Sequence, residues 1–205
     1  MLDLTSKEDL LAYPDWSAPD FDWSPDGKWF AIAKLDSDFN RDIWLMPATG
    51  LGKAFNVSRH PFSEQDPVFS PDGKMLAYAG RRASGDPGAH VCIVYLNPED
   101  DETTARDRKL QKAIDKMKSR TPGVKEPPKG STAANVSIVF DGMHERVKRV
   151  NLGEGSANTL FWSPDSKKVA TFQQDERNVG DMYLVEAKAG HPVLKSWKYP
   201  LESPF

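Results

Sequence analysis

The residues whose types could do chemistry in this chain are few and scattered. Asp36-Ser37-Asp38-Phe39-Asn40-Arg41-Asp42 carries oxygen ligands at alternate positions, the spacing by which a loop wraps a calcium ion. Arg41 stands where such a loop needs glycine, and Pro47 takes the twelfth position, where a bidentate Glu belongs. A solvated hairpin is the better reading, and calcium should leave the melting temperature unchanged. The four histidines, His60, His90, His144 and His191, fall in or beside expected loops, and none has a second His or a Cys at metal-ligand spacing. Each reads as a surface or turn residue. His144-Glu145 lacks the later His of a zinc-protease helix. No Gly-x-Ser-x-Gly elbow occurs, and no Gly-rich phosphate loop; Gly50-Leu51-Gly52 is a turn between strands. Cys92 is the sole cysteine, lies in an expected strand and reads as a small buried apolar residue. Asn56-Val57-Ser58 and Asn135-Val136-Ser137 fit the glycosylation acceptor pattern, which matters only in a secretory eukaryotic setting. No catalytic residue, cofactor-binding residue or metal ligand is assigned.

The elements that would position any such group are far more legible. Trp23-Ser24-Pro25-Asp26-Gly27-Lys28 returns as Phe69-Ser70-Pro71-Asp72-Gly73-Lys74 and again as Trp162-Ser163-Pro164-Asp165-Ser166-Lys167. Each copy reads as strand, tight turn, strand. Proline fixes φ for the second turn position, serine suits the first, and Gly27 and Gly73 supply a position that favours positive φ. Ser166 replaces glycine in the third copy. A left-handed serine costs roughly 1–2 kcal/mol, so Ser166→Gly is expected to raise the melting temperature.

Alignment on the turn aligns the next strand as well. Ala31, Ala77 and Ala170 share one register, between bulkier neighbours, which suits a face approached closely by an adjoining sheet. Eighteen positions after Ser24 comes Asp42-Ile43-Trp44-Leu45-Met46-Pro47, and eighteen after Ser163 comes Asp181-Met182-Tyr183-Leu184-Val185. In the second copy the equivalent, Ile93–Pro98, is displaced by five residues, and the extra length falls in the Gly- and Pro-containing stretch Arg81–His90. A fourth strand is expected at Lys53–Ser58 and at Pro192–Trp197. Four antiparallel strands per unit, with 46 positions from Ser24 to Ser70, is the pattern of a β-propeller blade.

The interval from Ser70 to Ser163 is 93 positions, about twice the first. Glu99–Gly130 holds almost no strand signal; it opens on Glu99-Asp100-Asp101-Glu102 and ends in Pro122-Gly123 and Pro127-Pro128. Leu110, Ile114 and Met117 recur at helical spacing, so one helix is expected over 104–119. Only Val136–Phe140 and Arg146–Leu152 remain as strand candidates, which favours an insertion into one blade over an extra blade. The reading is therefore all-β: about three blades of four antiparallel strands in an incomplete ring, with a charged, partly helical insertion. A lead-in spans 1–20, the blades span 21–60, 66–98 plus 131–157, and 158–200, and the insertion spans 99–130. Deleting 99–130 would distinguish a solvated helix from a docking arm.

Three blades fall short of the four to eight of closed propellers and leave apolar faces or edges uncovered. The expectation is a segment of a larger propeller protein; otherwise the arc self-associates or adds a partner. With 39% hydrophobic and 28% charged residues the composition is ordinary. A net charge of −3 gives no general attraction to nucleic acid or anionic membrane. No stretch approaches the roughly 20 apolar residues that span a bilayer. Met1–Tyr13 is acidic, carries no visible secretory signal, and has Ser6 and Asp9 spaced as at a helix start. The compartment is left open.

The repeats, followed by Asp-Ile-Trp-Leu-Met-Pro, resemble the WD-like propeller repeats of TolB and of tricorn-type and prolyl-oligopeptidase-type serine peptidases. Tyr13-Pro14-Asp15-Trp16 is similar to the lead-in of bacterial tricorn-like proteases, as is Glu126-Pro127-Pro128-Lys129-Gly130 leading to Val139–Val147. Gly180–Pro200 resembles the N-terminal propeller of dipeptidyl peptidase IV-like enzymes. The resemblance implies a non-catalytic propeller segment that serves as scaffold, peptide gate or protein-interaction surface, its partners peptides or proteins. In those families the nucleophile lies in a later domain, so no catalytic residue is carried over. The alternative is a TolB-like interaction module unrelated to proteolysis.

Overall fold

Each Ser-Pro-Asp corner is closed by its own side chains. Ser24 Oγ donates to Asp26 Oδ1 (2.7 Å) and accepts from the Trp29 N–H (2.9 Å), while Asp26 Oδ1 also accepts from the Lys28 N–H (3.1 Å). Ser70, Asp72, Lys74 and Met75 repeat the set at 2.6, 2.9 and 3.1 Å. Ser163, Asp165, Lys167 and Lys168 repeat it at 2.6, 2.9 and 3.2 Å. Gly27, Gly73 and Ser166 take φ of 70°, 71° and 57°, the left-handed conformation expected at all three corners. The motif persists because serine and aspartate together satisfy the amides that the turn leaves open.

In a computed structural model the described residues are 20–35, 40–81, 83–85, 88–101, 110, 113–114, 117, 134–152, 156–174, 180–187 and 193–196. The expected helix start at Ser6, the Tyr13–Trp16 lead-in, Asp36–Phe39, the 122–130 stretch, His191 and everything after Ser196 lie outside them. Three four-stranded antiparallel sheets make up the fold. Sheet 1 holds β1 (Phe21–Trp23), β2 (Trp29–Leu35), β3 (Arg41–Pro47) and β4 (Phe55–Asn56). Sheet 2 holds β5 (Glu64–Phe69), β6 (Met75–Gly80), β7 (His90–Tyr95) and β8 (Lys148–Val150). Sheet 3 holds β9 (Ser156–Trp162), β10 (Lys168–Gln174), β11 (Gly180–Glu186) and β12 (Val193–Ser196). The chain is all-β in this sense, with strands ordered sequentially in each sheet, as propeller blades are.

The sheets pack face to face through two cores. Ala31, Ala33, Ile43 and Leu45 of sheet 1 meet Phe69, Leu76, Tyr78, Cys92 and Val94 of sheet 2. The alternate residues of sheet 2, Met75, Ala77, Ala79, Val91 and Ile93, meet Ala157, Leu160, Val169 and Val185 of sheet 3. Sheet 2 is thus covered on both faces, and every residue of β6 and β7 is buried. That explains the unbroken apolar run Val91–Tyr95, where a half-buried strand would alternate. Ala31 and Ala77 are fully buried at the same register, each facing the sheet that follows.

Two segments differ from the sequence reading. Val136–Phe140 is not a strand: it crosses the corners of sheets 1 and 2 as an extended strap. Its bonds go to corner side chains and neighbouring backbone instead of a ladder. The Val136 N–H donates to Asp26 Oδ2 (3.1 Å), the Val139 N–H donates to the Leu96 carbonyl (2.9 Å), and Lys28 Nζ donates to Asn135 Oδ1 (3.2 Å). The Phe140 ring lies 5.5 Å from Trp29 and 4.7 Å from Phe55. A short 3-10 turn, Met143–Arg146, follows with Met143 fully buried, before β8 completes sheet 2. The second departure is the acidic start of the insertion. Pro98–Asp101 forms one helical turn (α1) in which Asp100 pairs with Lys74 (2.6 Å) and Asp101 with Lys148, so these charges are engaged by sheet 2. Beyond it, Leu110, Ala113, Ile114 and Met117 are helical, with Leu110 and Met117 exposed.

Candidate functional site

The first strands β1, β5 and β9 run side by side, and the ladder breaks in two of them at the same place. In β5 the pairing with β6 slips between Gln65 and Val68; in β9 the pairing with β10 slips where Thr159 lies. Asp66 and Thr159 take φ of 53° and 52°, costly for side-chain-bearing residues though least so for aspartate. Both stand four positions before the corner serine, and Asp20 holds the same place ahead of Ser24. The bulges open a recess of about 360 Å³ lined by Asp20, Phe21, Asp66, Pro67, Thr159 and Leu160.

Two carboxylates dominate this recess. Asp66 Oδ2 accepts from the Thr159 N–H (2.9 Å), tying sheet 2 to sheet 3. Asp20 Oδ2 lies 3.3 Å from Arg41 Nη1 in a half-exposed ion pair. Burial pushes the Asp66 carboxyl above the usual range, against the Thr159 N–H that lowers it, and the neighbouring Asp20 charge adds to the rise. Asp22, one corner-ward step along β1, is raised for the same first reason, burial, against N–H donors from Phe69 (2.7 Å) and Trp23. The Arg41 guanidinium already opposes the Asp20 charge and acts to lower Asp66, so burial is what chiefly disfavours the Asp66 carboxylate. A second recess, about 450 Å³, has Asn40, Ser63, Gln65, Arg81 and Ser156 in its lining and so touches all three sheets or the segments leading into them.

The residues first considered for chemistry are used otherwise. Asp42 is buried and accepts from Asn56 Nδ2 (2.6 Å) and Ser58 Oγ (3.4 Å), so it serves the β3–β4 link. Asn40 donates to the His60 carbonyl (2.9 Å). Asn56 Oδ1 accepts from the N–H groups of Ser58 (3.1 Å) and Arg59 (2.8 Å), and Ser58 is buried, so with Nδ2 given to Asp42 the Asn56 amide serves the turn. His90 corrects the expectation of a surface histidine: it is fully buried at the start of β7, with Nδ1 accepting from the Leu152 N–H (3.3 Å). A loop residue was expected because Gly88 and Pro87 precede it, yet the strand begins one residue after Ala89. Cys92 is buried in the first core, as read. Among the described residues no group of three or more His, Cys, Asp or Glu side chains could hold a metal ion, and no helix is long and apolar enough to cross a membrane. The paired aspartates were missed, although aligning the copies backward from the corner would have brought Asp20 and Asp66 together.

Comparison with known proteins agrees with this architecture. A family model for the dipeptidyl peptidase IV (DPP IV) N-terminal region matches residues 149–203. No curated protein sequence matches the chain. Among solved structures, the putative TolB from Agrobacterium tumefaciens is 16% identical with a TM-score of 0.54, over 89% of this chain and 50% of that one. The hydrazine synthase of Kuenenia stuttgartiensis is 13% identical with a TM-score of 0.55, over 93% and 27%. The tricorn protease is 13% identical with a TM-score of 0.50, over 95% and 24%. The chain thus spans half or less of each of these three solved chains. Its three sheets, in their order and packing, resemble the β-propellers of TolB, tricorn-type and dipeptidyl peptidase IV-like proteins.

Proposed function

We propose that this chain is a non-catalytic propeller segment that receives an extended peptide or a protein segment along its first strands, as a peptide gate or interaction surface. The observation that carries the reading is the bulged recess between β5 and β9, where Asp66 and Asp20 stand beside unpaired strand edge. An inner strand edge offers backbone donors and acceptors to an extended chain, and the carboxylates suit an amine or guanidinium group on it. The non-catalytic part of the reading is supported by the corner serines, each spent on its own turn, donating to an aspartate and accepting from a backbone N–H.

Asp66→Asn tests the site. Asparagine keeps an acceptor for the Thr159 N–H and tolerates the left-handed backbone, but removes the charge. Binding of short extended peptides with a free amino terminus or a Lys or Arg side chain, read by NMR shifts of the Thr159 and Leu160 amides, should weaken about tenfold in the variant. Equal binding by both proteins, or by N-acetylated peptides without cationic side chains, would remove the recess from the account. Hydrolysis of those peptides by the purified chain would overturn the non-catalytic reading.

A further inference from the structure

The recess of about 450 Å³ shares no lining residue with the peptide recess, and its charge is of the opposite sign. Among the described residues its lining carries one cation, Arg81, and no carboxylate, in a chain whose net charge is −3. Arg81 is exposed just past the end of β6, and no carboxylate among the described residues pairs with it. Glu64 lies between Ser63 and Gln65 in sequence, but it is fully buried and pairs with Gly80, which puts it on the opposite face of sheet 2 from Gln65. Ser156 is set by its own role in the fold. Its Oγ accepts from the Ala89 N–H (3.0 Å), which leaves the hydroxyl proton to donate into the recess. Asn40 is committed instead, donating to the His60 carbonyl (2.9 Å) and accepting from Ser63 Oγ (3.5 Å).

Two glutamines complete the wall. Gln65 pairs with Ala79 and Gln173 with Ala157, and both alanines pack in the joint between sheets 2 and 3. Cross-strand partners share a face, so both amides turn into that joint. The Ala157 N–H donates to the Ala89 carbonyl (2.7 Å), which places Gln173 directly behind the wall that Ala89 and Ser156 form. Gln173 is 4% exposed, yet neither its Nε2 nor its Oε1 has a hydrogen-bond partner among the described residues. A buried amide of this kind costs stability and marks a place kept for a polar occupant.

We propose that this recess binds a small oxyanion, a carboxylate or a phosphate group, with Arg81 as its counter-charge and Ser156, Gln65 and Gln173 as neutral donors. The guanidinium, the hydroxyl and both amide nitrogens can all donate, and the arginine fork matches two oxygens of either group. A cationic ligand would be repelled by Arg81, and an apolar one would leave the Gln173 amide unsatisfied. The site stands independently of the peptide reading, since Asp66 and Thr159 line the other recess and none of the four donors does.

The test is titration of the full chain with sodium acetate, with inorganic phosphate and, at matched ionic strength, with sodium chloride. The readouts are the backbone amide shifts of Gln65, Ala89 and Ser156 and the side-chain amide signals of Gln65 and Gln173. Saturable shifts are expected with acetate or phosphate and not with chloride; saturation by acetate alone identifies the group as a carboxylate, and by phosphate alone as a phosphate. Arg81→Gln, at an exposed position, should weaken binding by about tenfold or more. Lys167→Gln, equally exposed at the corner of sheet 3, should leave binding unchanged. Gln173→Met fills similar space without the unsatisfied polar atoms, so it should melt higher than the parent in chloride and bind the oxyanion more weakly. Shifts that follow ionic strength alone, or an Arg81→Gln variant that binds as the parent does, would overturn the proposal. So would a Gln173→Met variant that binds as tightly as the parent and melts lower, since its amide would then already have a partner.

Discussion

Ser166 Oγ accepts a hydrogen bond from the Asp72 N–H at 2.9 Å, joining the corner of sheet 3 to the corner of sheet 2 across 94 positions of sequence. Ser166 is therefore not a strained substitute for glycine alone. Its hydroxyl belongs to the joint between sheets, and the residue is buried.

That bond reverses the expectation for Ser166→Gly. Relief of the left-handed backbone contributes about 1–2 kcal/mol, and loss of an acceptor for a part-buried N–H costs about 1–3 kcal/mol. The two nearly cancel, so thermal denaturation of Ser166→Gly should show no gain. Ser166→Ala keeps the strain and loses the bond, and should be the less stable variant by about 1 kcal/mol. Stabilisation by the full relief in Ser166→Gly would show that the hydroxyl contributes nothing.

Asp66 couples stability to pH. Its folded carboxyl lies above 3.8 because of burial, so the folded chain holds this proton longer than the unfolded chain does. Its contribution therefore declines as pH rises from 3.8 through the folded value, and stays at the lower level above it. Asp66→Asn should melt higher than the parent at pH 7, with the gap closing below pH 3.8. A variant that melts lower at neutral pH would mean that the ionised carboxylate is held favourably. A gain in stability together with weaker peptide binding is the signature of a residue kept for function.

Gly27 and Gly73 isolate the strap. Both have φ near 70°, but an added Cβ meets nothing within 4 Å at Gly27, whereas at Gly73 it meets Val136 Cγ2 at 2.8 Å. Gly27→Ala should cost about 1 kcal/mol from backbone strain. Gly73→Ala should cost roughly 1–3 kcal/mol more from overpacking, as read from urea midpoints. Equal costs would place Val136 away from the corner.

Arg146 holds the far end of the strap. Its guanidinium donates to the carbonyls of Asp141 and Val139 at 2.6 Å each, with longer contacts to Leu96 and Tyr95. A lysine cannot reproduce that fork, so Arg146→Lys should cost about 1–2 kcal/mol in chemical denaturation. An unchanged midpoint would mean that the strap's other contacts hold it without Arg146.

The corners, the strand order and the small residues at Ala31 and Ala77 were legible because they follow from local turn chemistry and period. The strap was not. Val136–Phe140 alternates like a strand, yet its partners are corner side chains from residues about a hundred positions away, which no local pattern reveals. His90 was misread for a related reason: burial on both faces of sheet 2 comes from neighbours on either side, not from its own flanking glycine and proline. The hydroxyl of Ser166 was read only as a missing glycine because its acceptor role is set by the next sheet. Asp20 and Asp66 were within reach, since they share one offset from the corner serine, but the offset gains meaning only once β1, β5 and β9 lie together.

Amide hydrogen exchange tests the central claim, that three blade-like sheets stack with the middle one covered on both faces. The β6 and β7 amides, Met75–Gly80 and His90–Tyr95, should exchange only through global unfolding and more slowly than any others in the chain, while Phe21–Trp23 of β1 should exchange through local opening. Exchange of β6 and β7 as fast as that of β1 would contradict the stack.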